Sequence, residues 1–481
     1  MDSTSGRSSR SYDALWLSLA LMPLVGLAFM LPIPAQDYWW YLRLGQDILK
    51  NGAVPLVDTI SYSRAGQPIL YQAWLAALIF WKVYQLGGIT LTLLLRGVLI
   101  GLTYGVIWGI ARRESGPRLA TLLVILAGLA GSNNWVMRPQ LFAYPLFALS
   151  LLALRRWQSG KKHLVWILPV SALLWVNVHG SFVLLFLLAG AALVFGKGDR
   201  RALLFALAAM LLASLANPHG LRVWTYPFTM LSSPSDYRFS VEWLAPSNAG
   251  WQMNLFFGWL LAFAPLAALS PRKLSLLEWV WFLGFGWLAL SGIRYVIWFL
   301  FLMCVQSAPL LSDWTRKLLD RPVESIHPVR NIAIACLLLL MPLGFLPGVR
   351  EKLKVESAPV YELSTTPIGA VDWLLEHPDL PGPVFSDYAF GSYLAFALPS
   401  RPTWIDTRMF NFPPGQWEEY TRISAGEPEW GTDFDREGVN LLLLSTAAQP
   451  ELIRAVRESP AWCEQYRDPY AVIFARCASL P

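Results

Sequence analysis

The sequence predicts a mainly α-helical membrane protein with about eleven transmembrane helices, juxtamembrane helices and a C-terminal extracytoplasmic α/β domain. Of the 481 residues, 55% are hydrophobic and only 15% are charged, whereas soluble proteins have about 45–50% apolar and about 25% charged residues. The long apolar runs are confined to residues 1–350, and residues 351–481 contain none longer than a buried strand. We therefore predict a transmembrane domain over 1–350 and a water-facing domain over 351–481. This composition excludes an ordinary cytosolic enzyme and a disordered chain.

Candidate transmembrane helices are apolar runs that approach the roughly twenty residues needed to cross a bilayer. The first run is not a signal peptide, because it lacks a small-residue cleavage site and many further runs follow it. The predicted spans are 14–33, 87–110, 119–136, 140–154, 164–178, 181–196, 201–216, 253–270, 276–292, 295–311 and 331–348.

The segment 69–86 could be a twelfth span or a helix lying in the membrane interface, because it contains Gln72, Lys82 and Gln85. The distribution of basic loop residues decides between the two, since cytoplasmic loops are rich in Lys and Arg. If 69–86 lies flat, sixteen basic residues of short loops fall on the side of the N-terminus. We therefore predict a first outer loop over 37–86 with interfacial helices, a cytoplasmic N-terminus and an extracytoplasmic C-terminal domain. The net charge of +6 reflects this topology and does not indicate a nucleic-acid partner. The sixteen residues are Arg112, Arg113, Arg118, Arg155, Arg156, Lys161, Lys162, Lys197, Arg200, Arg201, Arg272, Lys273, Arg316, Lys317, Arg321 and Arg330.

With this topology, polar groups collect at the outer ends of several spans. Polar residues at membrane positions are costly and are therefore functional candidates, although loops are polar in any protein. Asp37 follows Pro32 and Pro34, which should end the first span. The stretch 37–50 then reads as an amphipathic interfacial helix with Trp40, Leu44, Ile48 and Leu49 facing lipid. Asp37 is either a capping or first-turn acid of this helix, or a general base at the membrane surface.

Arg138, Arg294 and His179 are candidates for binding an anion, because a guanidinium presents several donors to a phosphate. The alternatives are an arginine that reaches lipid headgroups along its aliphatic stem and a histidine hydrogen-bonded at a span end. Supporting candidates at the same side are Asp58, Arg43, Asn177, His219 and Glu242. The sequence contains no zinc-type His/Cys pattern, phosphate-binding loop, dinucleotide fingerprint or nucleophile elbow.

An early acid after the first span, a flat helix in the first outer loop, many spans and an outer C-terminal domain together resemble the GT-C superfamily. These are polytopic glycosyltransferases that use polyprenyl-phosphate-linked sugars. The resemblance covers almost the whole chain and is to bacterial GT-C-like proteins of unassigned substrate, which implies a location in the bacterial cytoplasmic (inner) membrane. The motifs that carry it are Asp37-x-Trp39-Trp40-x-Leu42-Arg43-x-Gly45, Pro55-x-x-Asp58-x-x-Ser61-Tyr62, Trp175-x-Asn177-x-His179-Gly180 and Asn217-Pro218-x-Gly220.

The outer domain is similar to the acceptor-binding WWDYG region of oligosaccharyltransferase catalytic subunits, although Phe385-Ser386 stands where those proteins have the Trp pair. The resemblance implies that Asp387, Tyr388, Asp406 and Arg408 lie on the acceptor side. The alternative for Asp387 and Tyr388 is that they cap and pack a turn.

The resemblance also bears on metal dependence. Oligosaccharyltransferases place a second acid in the next outer loop, where it helps to hold a divalent metal, but this chain has Asn133, Asn134 and Arg138 there. A metal would be left with Asp37, Asp58, Asp236 or Glu242, which only folding could bring together. Because hard cations need several oxygen ligands, we expect a metal-independent enzyme without a cofactor.

The resemblance implies an inverting transfer of a sugar from a polyprenyl-phosphate-linked donor to a glycan, lipid or protein acceptor. Asp37 would take the acceptor proton, and Arg294, Arg138 and His179 would neutralise the departing phosphate. The alternatives are a non-catalytic scaffold in envelope polysaccharide or glycoprotein assembly, which the missing second acid favours, and a transporter, which would need midspan acids.

Short apolar runs in the outer domain predict strands at 383–387, 402–406, 439–444 and 470–475. Helices are predicted at 367–377, 387–397 and 449–458. Cys463 and Cys477 flank the last strand pair on the outer side, where a disulfide is permitted. Their strand register differs by about three residues across the turn, so this pattern leaves the disulfide undecided.

Overall fold

The structure is a computed structural model, and it describes residues 2–233, 238–319, 327–354, 366–380 and 382–479. The chain forms two compact units, each built from separate parts of the sequence. The helical unit comprises Met1–Leu31, Gly87–Val223 and Val241–Ser357, and the mixed unit comprises Pro32–Leu86, Trp224–Ser240 and Ala358–Pro481. The contacts thus join the predicted first outer loop to the C-terminal part of the chain. The predicted boundary between 350 and 351 remains a prediction.

The helical unit is made of apolar helices. Among the described residues, five helices are long and apolar enough to cross a membrane, and three more apolar helices are shorter. The count of eleven spans remains a prediction. The helices of this unit are Asp2–Met30, the later part of Trp74–Gly131, Gln140–Gln158, Ile167–Val178, Val183–Phe195, Arg200–Ser214, Trp251–Leu269, Leu276–Ser291, Val296–Leu319, Pro328–Leu340 and Pro347–Lys352.

The long helical stretch Trp74–Gly131 is interrupted at two places. Gly88 has a φ of 55° and Gly116 a φ of 77°, and the backbone at both is non-helical. These left-handed conformations favour glycine and end an α-helix. The breaks separate the predicted spans 87–110 and 119–136 from each other and from the residues before Gly87.

The helical residues before Gly87 belong to the mixed unit. They pack closely on the helix Asp37–Asn51, where a Cβ at Gly45 would lie 2.3 Å from the Ala77 carbonyl oxygen. The rings of Tyr38 and Phe80 meet edge to face at 5.5 Å. That 69–86 is not a twelfth span remains a prediction.

The apolar face of the helix Asp37–Asn51 does not face lipid, which corrects our expectation. Trp40, Leu44 and Ile48 are buried in one hydrophobic cluster of the mixed unit, and Leu49 alone of the four predicted residues is exposed. The cluster also contains Ala395 from the C-terminal part of the chain. An amphipathic pattern identifies an apolar face, but it does not identify what covers that face.

The mixed unit contains a four-stranded sheet with strands β1 (Val384–Ser386), β2 (Leu441–Ser445), β3 (Trp462–Arg467) and β4 (Ala471–Arg476). The strand order is β1-β2-β4-β3, with β1 parallel to β2 and the other neighbours antiparallel. The helices of this part of the unit are Ile368–Glu376, Tyr388–Ala397, Pro414–Ser424, Trp430–Arg436 and Pro450–Glu458, and Thr225–Leu231 also belongs to the unit.

Three predicted strands form, but the segment 402–406 does not. It makes only isolated bridges, from Thr403 to Ser61 and to Val384. The strand β3 is not among the ranges that apolar runs predict, because it lies at an edge of the sheet and its half-exposed, charged residues give no such run. The strand pair expected between Cys463 and Cys477 nevertheless implies a strand there.

Cys463 and Cys477 form a disulfide with a Cα–Cα distance of 5.1 Å. The difference in strand register that we inferred from the sequence assumed that the two strands pair without irregularities. In the structure, the pairing of β3 with β4 is irregular between Glu464 and Tyr466, and the chain turns after β4 in a 3-10 helix that begins at Cys477. In this register Cys463 pairs with Ala475, two residues before Cys477, and the turn after β4 leaves the two cysteines within disulfide distance.

Changing Cys463 and Cys477 to Ser together is expected to lower the free energy of unfolding by about 2–4 kcal/mol, because the disulfide restricts the unfolded chain. The thermal unfolding of the full chain in detergent measures this loss. The exposed free cysteine Cys336 provides the control, and Cys336→Ser should leave the melting temperature unchanged. Equal melting temperatures for the double variant and the wild type would contradict the assignment.

Candidate functional site

The predicted base Asp37 is the first residue of its helix in the mixed unit. Its Oδ1 accepts a hydrogen bond of 3.3 Å from the indole nitrogen of Trp40, and the side chain is half-buried. The preceding Trp39 donates its indole N–H to the Pro34 carbonyl at 3.0 Å, which fixes the entry into the helix. Asp37 therefore has the position of a first-turn acid, where the helix dipole favours its charge, and it also has a defined orientation.

Contacts along the same helix hold it against the helix Tyr388–Ala397. Arg43 pairs with Asp47 at 2.9 Å and donates to the Ala395 carbonyl at 3.3 Å. The ring of Trp39 meets that of Tyr393 edge to face at 4.8 Å. Arg43 thus positions the helix that carries Asp37.

A buried ion cluster lies in the mixed unit around Arg408. The guanidinium contacts Asp58 at 2.8 Å and Asp406 at 2.6 Å, and all three side chains are fully buried. Arg408 also donates to the hydroxyl of Tyr71 at 2.8 Å, and Asn411 donates to Asp58 at 2.6 Å. The cluster therefore joins the predicted first outer loop to the C-terminal part of the chain.

The electrostatics of this cluster follow from burial and from one shared cation. Burial alone would raise the pKa of Asp58, but the charge of Arg408 and the hydrogen bonds to the carboxylate lower it overall. Burial raises the pKa of Asp406, although Arg408 opposes this. Because neither Asp406 nor Arg408 reaches the surface, their geometry favours a structural role over the predicted contact with an acceptor.

Asp387 and Tyr388 also make intramolecular contacts. Asp387 caps the helix Tyr388–Ala397 by accepting from the backbone N–H groups of Ala389 at 3.0 Å and Phe390 at 3.3 Å. Its other oxygen accepts from the Tyr420 hydroxyl at 3.0 Å. Tyr388 is half-buried against Tyr420. This arrangement favours the capping alternative that the sequence left open.

The helical unit contains a cluster around two of the predicted phosphate-binding residues. Arg138 and Glu242 form an ion pair, and the guanidinium carbon of Arg294 lies 4.4 Å from the ring centre of Trp243. Partial burial would raise the pKa of Glu242, but the charges of Arg138 and Arg294 lower it overall, so this carboxylate is ionised. The Gln140 amide reaches the Arg294 carbonyl at 3.4 Å. These contacts bring together residues from three separate parts of the sequence.

His179 lies in the turn between the helices Ile167–Val178 and Val183–Phe195 and feels the same charges. Burial, together with Arg294 and Arg138, lowers its pKa to about 3, so the ring is neutral at physiological pH. Its Nδ1 accepts from the backbone N–H of Ser181 at 3.1 Å, which places the ring proton on Nε2. His179 can therefore donate one hydrogen bond to an anion, but it adds no positive charge.

Asn177 and His219 lie at helix ends of the same unit. The Asn177 amide donates to the Leu173 carbonyl at 2.8 Å and to the Ala216 carbonyl at 2.9 Å, so it ties two helices together. The backbone N–H of His219 is held by the Asn217 side chain at 2.8 Å. These contacts account for Asn177 structurally and define the turn that presents His219.

The described residues do not form a ligand set for a divalent metal. Among the parts of the chain that the structure describes, no three His, Cys, Asp or Glu side chains lie close enough together to hold an ion. The oxygens of Asp58 are engaged by Arg408 and Asn411, and Glu242 is paired with Arg138. Asp236, a further candidate ligand in the sequence, lies outside the described residues.

Some members of these clusters are not found from the sequence. Trp40 orients Asp37, Ser181 fixes the tautomer of His179, and Tyr71 and Asn411 complete the Arg408 cluster. Trp40 and Ser181 lie within four residues of their partners, so a search for nearby hydrogen-bond donors would have found them. Tyr71 and Asn411 give no such local signal.

No family profile and no curated protein matches the chain. Solved structures do match its fold. An archaeal oligosaccharyltransferase, AglB from Archaeoglobus fulgidus in complex with an inhibitory peptide and a dolichol-phosphate, is 11% identical with a TM-score of 0.59 over 96% of this chain and 74% of that one. ArnT from Cupriavidus metallidurans bound to undecaprenyl phosphate is 15% identical with a TM-score of 0.53 over 97% and 98%.

The arabinofuranosyltransferase AftD from Mycobacteria is 15% identical with a TM-score of 0.51 over 96% of this chain and 40% of that one. All three are membrane glycosyltransferases of the GT-C superfamily. At these identities the likeness concerns the fold. The chain therefore has the GT-C fold that its sequence motifs predict.

Proposed function

We propose that the protein is an inverting glycosyltransferase that moves a sugar from a polyprenyl-phosphate-linked donor to an acceptor at the outer face of the bacterial cytoplasmic membrane. The observation that carries this proposal is the cluster of Arg138, Arg294 and His179 in a chain with the GT-C fold. Two guanidinium groups and one neutral imidazole donor suit a phosphate that gains charge as the sugar leaves.

Each group has one role in this proposal. The acceptor hydroxyl or amine attacks the anomeric carbon, the bond from that carbon to the phosphate oxygen breaks, and the configuration inverts. Asp37 takes the acceptor proton. Arg138 and Arg294 stabilise the charge on the departing phosphate, and His179 donates a hydrogen bond from Nε2. The acceptor is a glycan, a lipid or a protein, and membrane lipids surround the helical unit.

The first test is transfer by the purified full-length protein. A panel of polyprenyl-phosphate-linked sugars is supplied, and the release of free polyprenyl phosphate is measured. We expect release with at least one donor of the panel and an acceptor extract. We also expect the rate to be unchanged after treatment with EDTA, because the residues that the structure describes do not form a metal ligand set. A rate that falls with EDTA and returns with Mg²⁺ or Mn²⁺ would contradict the metal-independent mechanism.

A non-catalytic scaffold with the same fold is the second candidate. The absence of a carboxylate at Asn133 and Asn134 favours it, since relatives use an acid in that loop. A scaffold would bind polyprenyl phosphate without releasing it from any sugar donor. The transfer assay therefore separates the two functions.

A further inference from the structure

We propose that Glu242 and Trp243 form an internal latch that occupies the two phosphate-binding arginines when no lipid phosphate is bound. The inference rests on the proposed function of Arg138 and Arg294 and adds the residues that compete with the phosphate for them. The lipid phosphate must then displace a carboxylate that belongs to the protein itself.

The first observation is that neighbouring residues of one short turn contact the two arginines. Glu242 forms the ion pair with Arg138, and Trp243 lies under the guanidinium of Arg294 at 4.4 Å. Both belong to the 3-10 turn Val241–Trp243. One small segment therefore covers both proposed contacts of the phosphate.

The second observation is how this turn is attached. The carbonyl of Leu244 accepts the backbone N–H of Ile293 at 3.0 Å, and the ring of Trp243 meets that of Tyr295 edge to face at 6.2 Å. These contacts involve Ile293 and Tyr295, the two neighbours of Arg294 in the sequence, and they hold the turn beside Arg294. A backbone hydrogen bond, a ring contact and the two arginine contacts therefore contribute to the docking of the turn.

The third observation is the exposure of the ion pair. The side chain of Arg138 is 21% exposed and that of Glu242 is 38% exposed. A partly exposed ion pair is weaker than a buried one and can exchange partners. A phosphate carries more charge than a carboxylate and can contact two guanidinium groups at once, so it competes effectively for the arginines. The geometry thus suits a resident anion that a phosphate group replaces.

The latch and a merely structural ion pair predict different effects on phosphate affinity when the Glu242 carboxylate is removed. Glu242→Gln removes the competing charge but keeps the size of the side chain. We expect its affinity for undecaprenyl phosphate in detergent to rise about two- to fivefold, which corresponds to the strength of a partly exposed ion pair. Glu242→Ala should act in the same direction. Unchanged or weaker binding by both folded variants would overturn the latch.

Matched variants exclude a general effect of charge. Glu418→Gln removes an exposed carboxylate that is paired with Arg238, and it should leave the affinity unchanged. In an Arg138→Gln background, Glu242→Gln should no longer tighten binding, because the competition acts through Arg138. A gain that persists in this background would overturn the latch. Melting temperatures of all variants confirm folding.

The outcomes also separate the latch from the proposed function. If the wild type does not bind undecaprenyl phosphate, both fail. If the wild type binds and Arg138→Gln weakens binding, while Glu242→Gln changes nothing, only the latch fails. Inorganic phosphate serves as the second probe. The same tightening with inorganic phosphate would place the competition at the phosphate group, and tightening with the lipid alone would overturn this mechanism.

Discussion

Asp37→Asn is expected to lower the transfer rate about 10²–10⁴-fold, which is the usual contribution of a general base. The asparagine keeps an oxygen that can accept the Trp40 indole N–H, but it cannot take a proton from the acceptor. The fold should persist, because the loss of one charge at the positive end of a helix dipole costs about 0.3–1 kcal/mol. The initial rate of polyprenyl phosphate release measures the effect, and the melting temperature confirms folding.

Glu451→Gln provides the matched control for Asp37→Asn. Glu451 is an exposed acid in the first turn of the helix Pro450–Glu458 and is paired with Arg454 at 2.8 Å. The two variants therefore remove equivalent helix-end charges, and the control should retain the full rate. An Asp37→Asn enzyme with the wild-type rate would show that Asp37 is only a first-turn acid.

Arg408→Leu is expected to destabilise the protein by about 3–5 kcal/mol, because it leaves the buried carboxylates of Asp58 and Asp406 without their cation. This is the largest effect on stability that we predict. The thermal unfolding of the full chain in detergent measures it. Arg436→Leu is the matched control, since Arg436 is more than half exposed and its ion pairs with Glu419 and Asp433 should contribute less than about 1 kcal/mol.

A compensated variant separates the charge from the packing of Arg408. The triple change Asp58→Asn, Asp406→Asn and Arg408→Met removes both the cation and the two acids, so no buried charge remains unpaired. We expect it to be more stable than Arg408→Leu alone. Equal stability of the two variants would mean that packing, and not the buried charges, accounts for the loss.

Local structure in this chain follows from local sequence patterns. The helix predicted at 37–50 ends one residue later in the structure, and those predicted at 387–397 and 449–458 begin one residue later. Proline stops, capping acids and apolar periodicity act within a few residues, so a single sequence contains them. The breaks of the long helix at Gly88 and Gly116 likewise separate predicted spans.

Partners that are distant in the sequence could not be predicted in this way. Asp58 and Arg408 are 350 residues apart, and no periodicity connects them. The sequence therefore placed Asp58 among the supporting site residues and Arg408 on the acceptor side, whereas they form one buried cluster. The pairing of Arg138 with Glu242, which are 104 residues apart, could not be predicted for the same reason.

The division of the mixed unit into three separate stretches of chain has a consequence for the order of biosynthesis. Asp58 leaves the ribosome 350 residues before Arg408, which at about 5–20 residues per second is an interval of about 20–70 seconds. During that interval the first loop lacks the guanidinium of Arg408 and the C-terminal apolar residues, such as Ala395, that later pack against it. The loop therefore remains incompletely folded, and final folding of this part of the protein follows synthesis of its C-terminal residues.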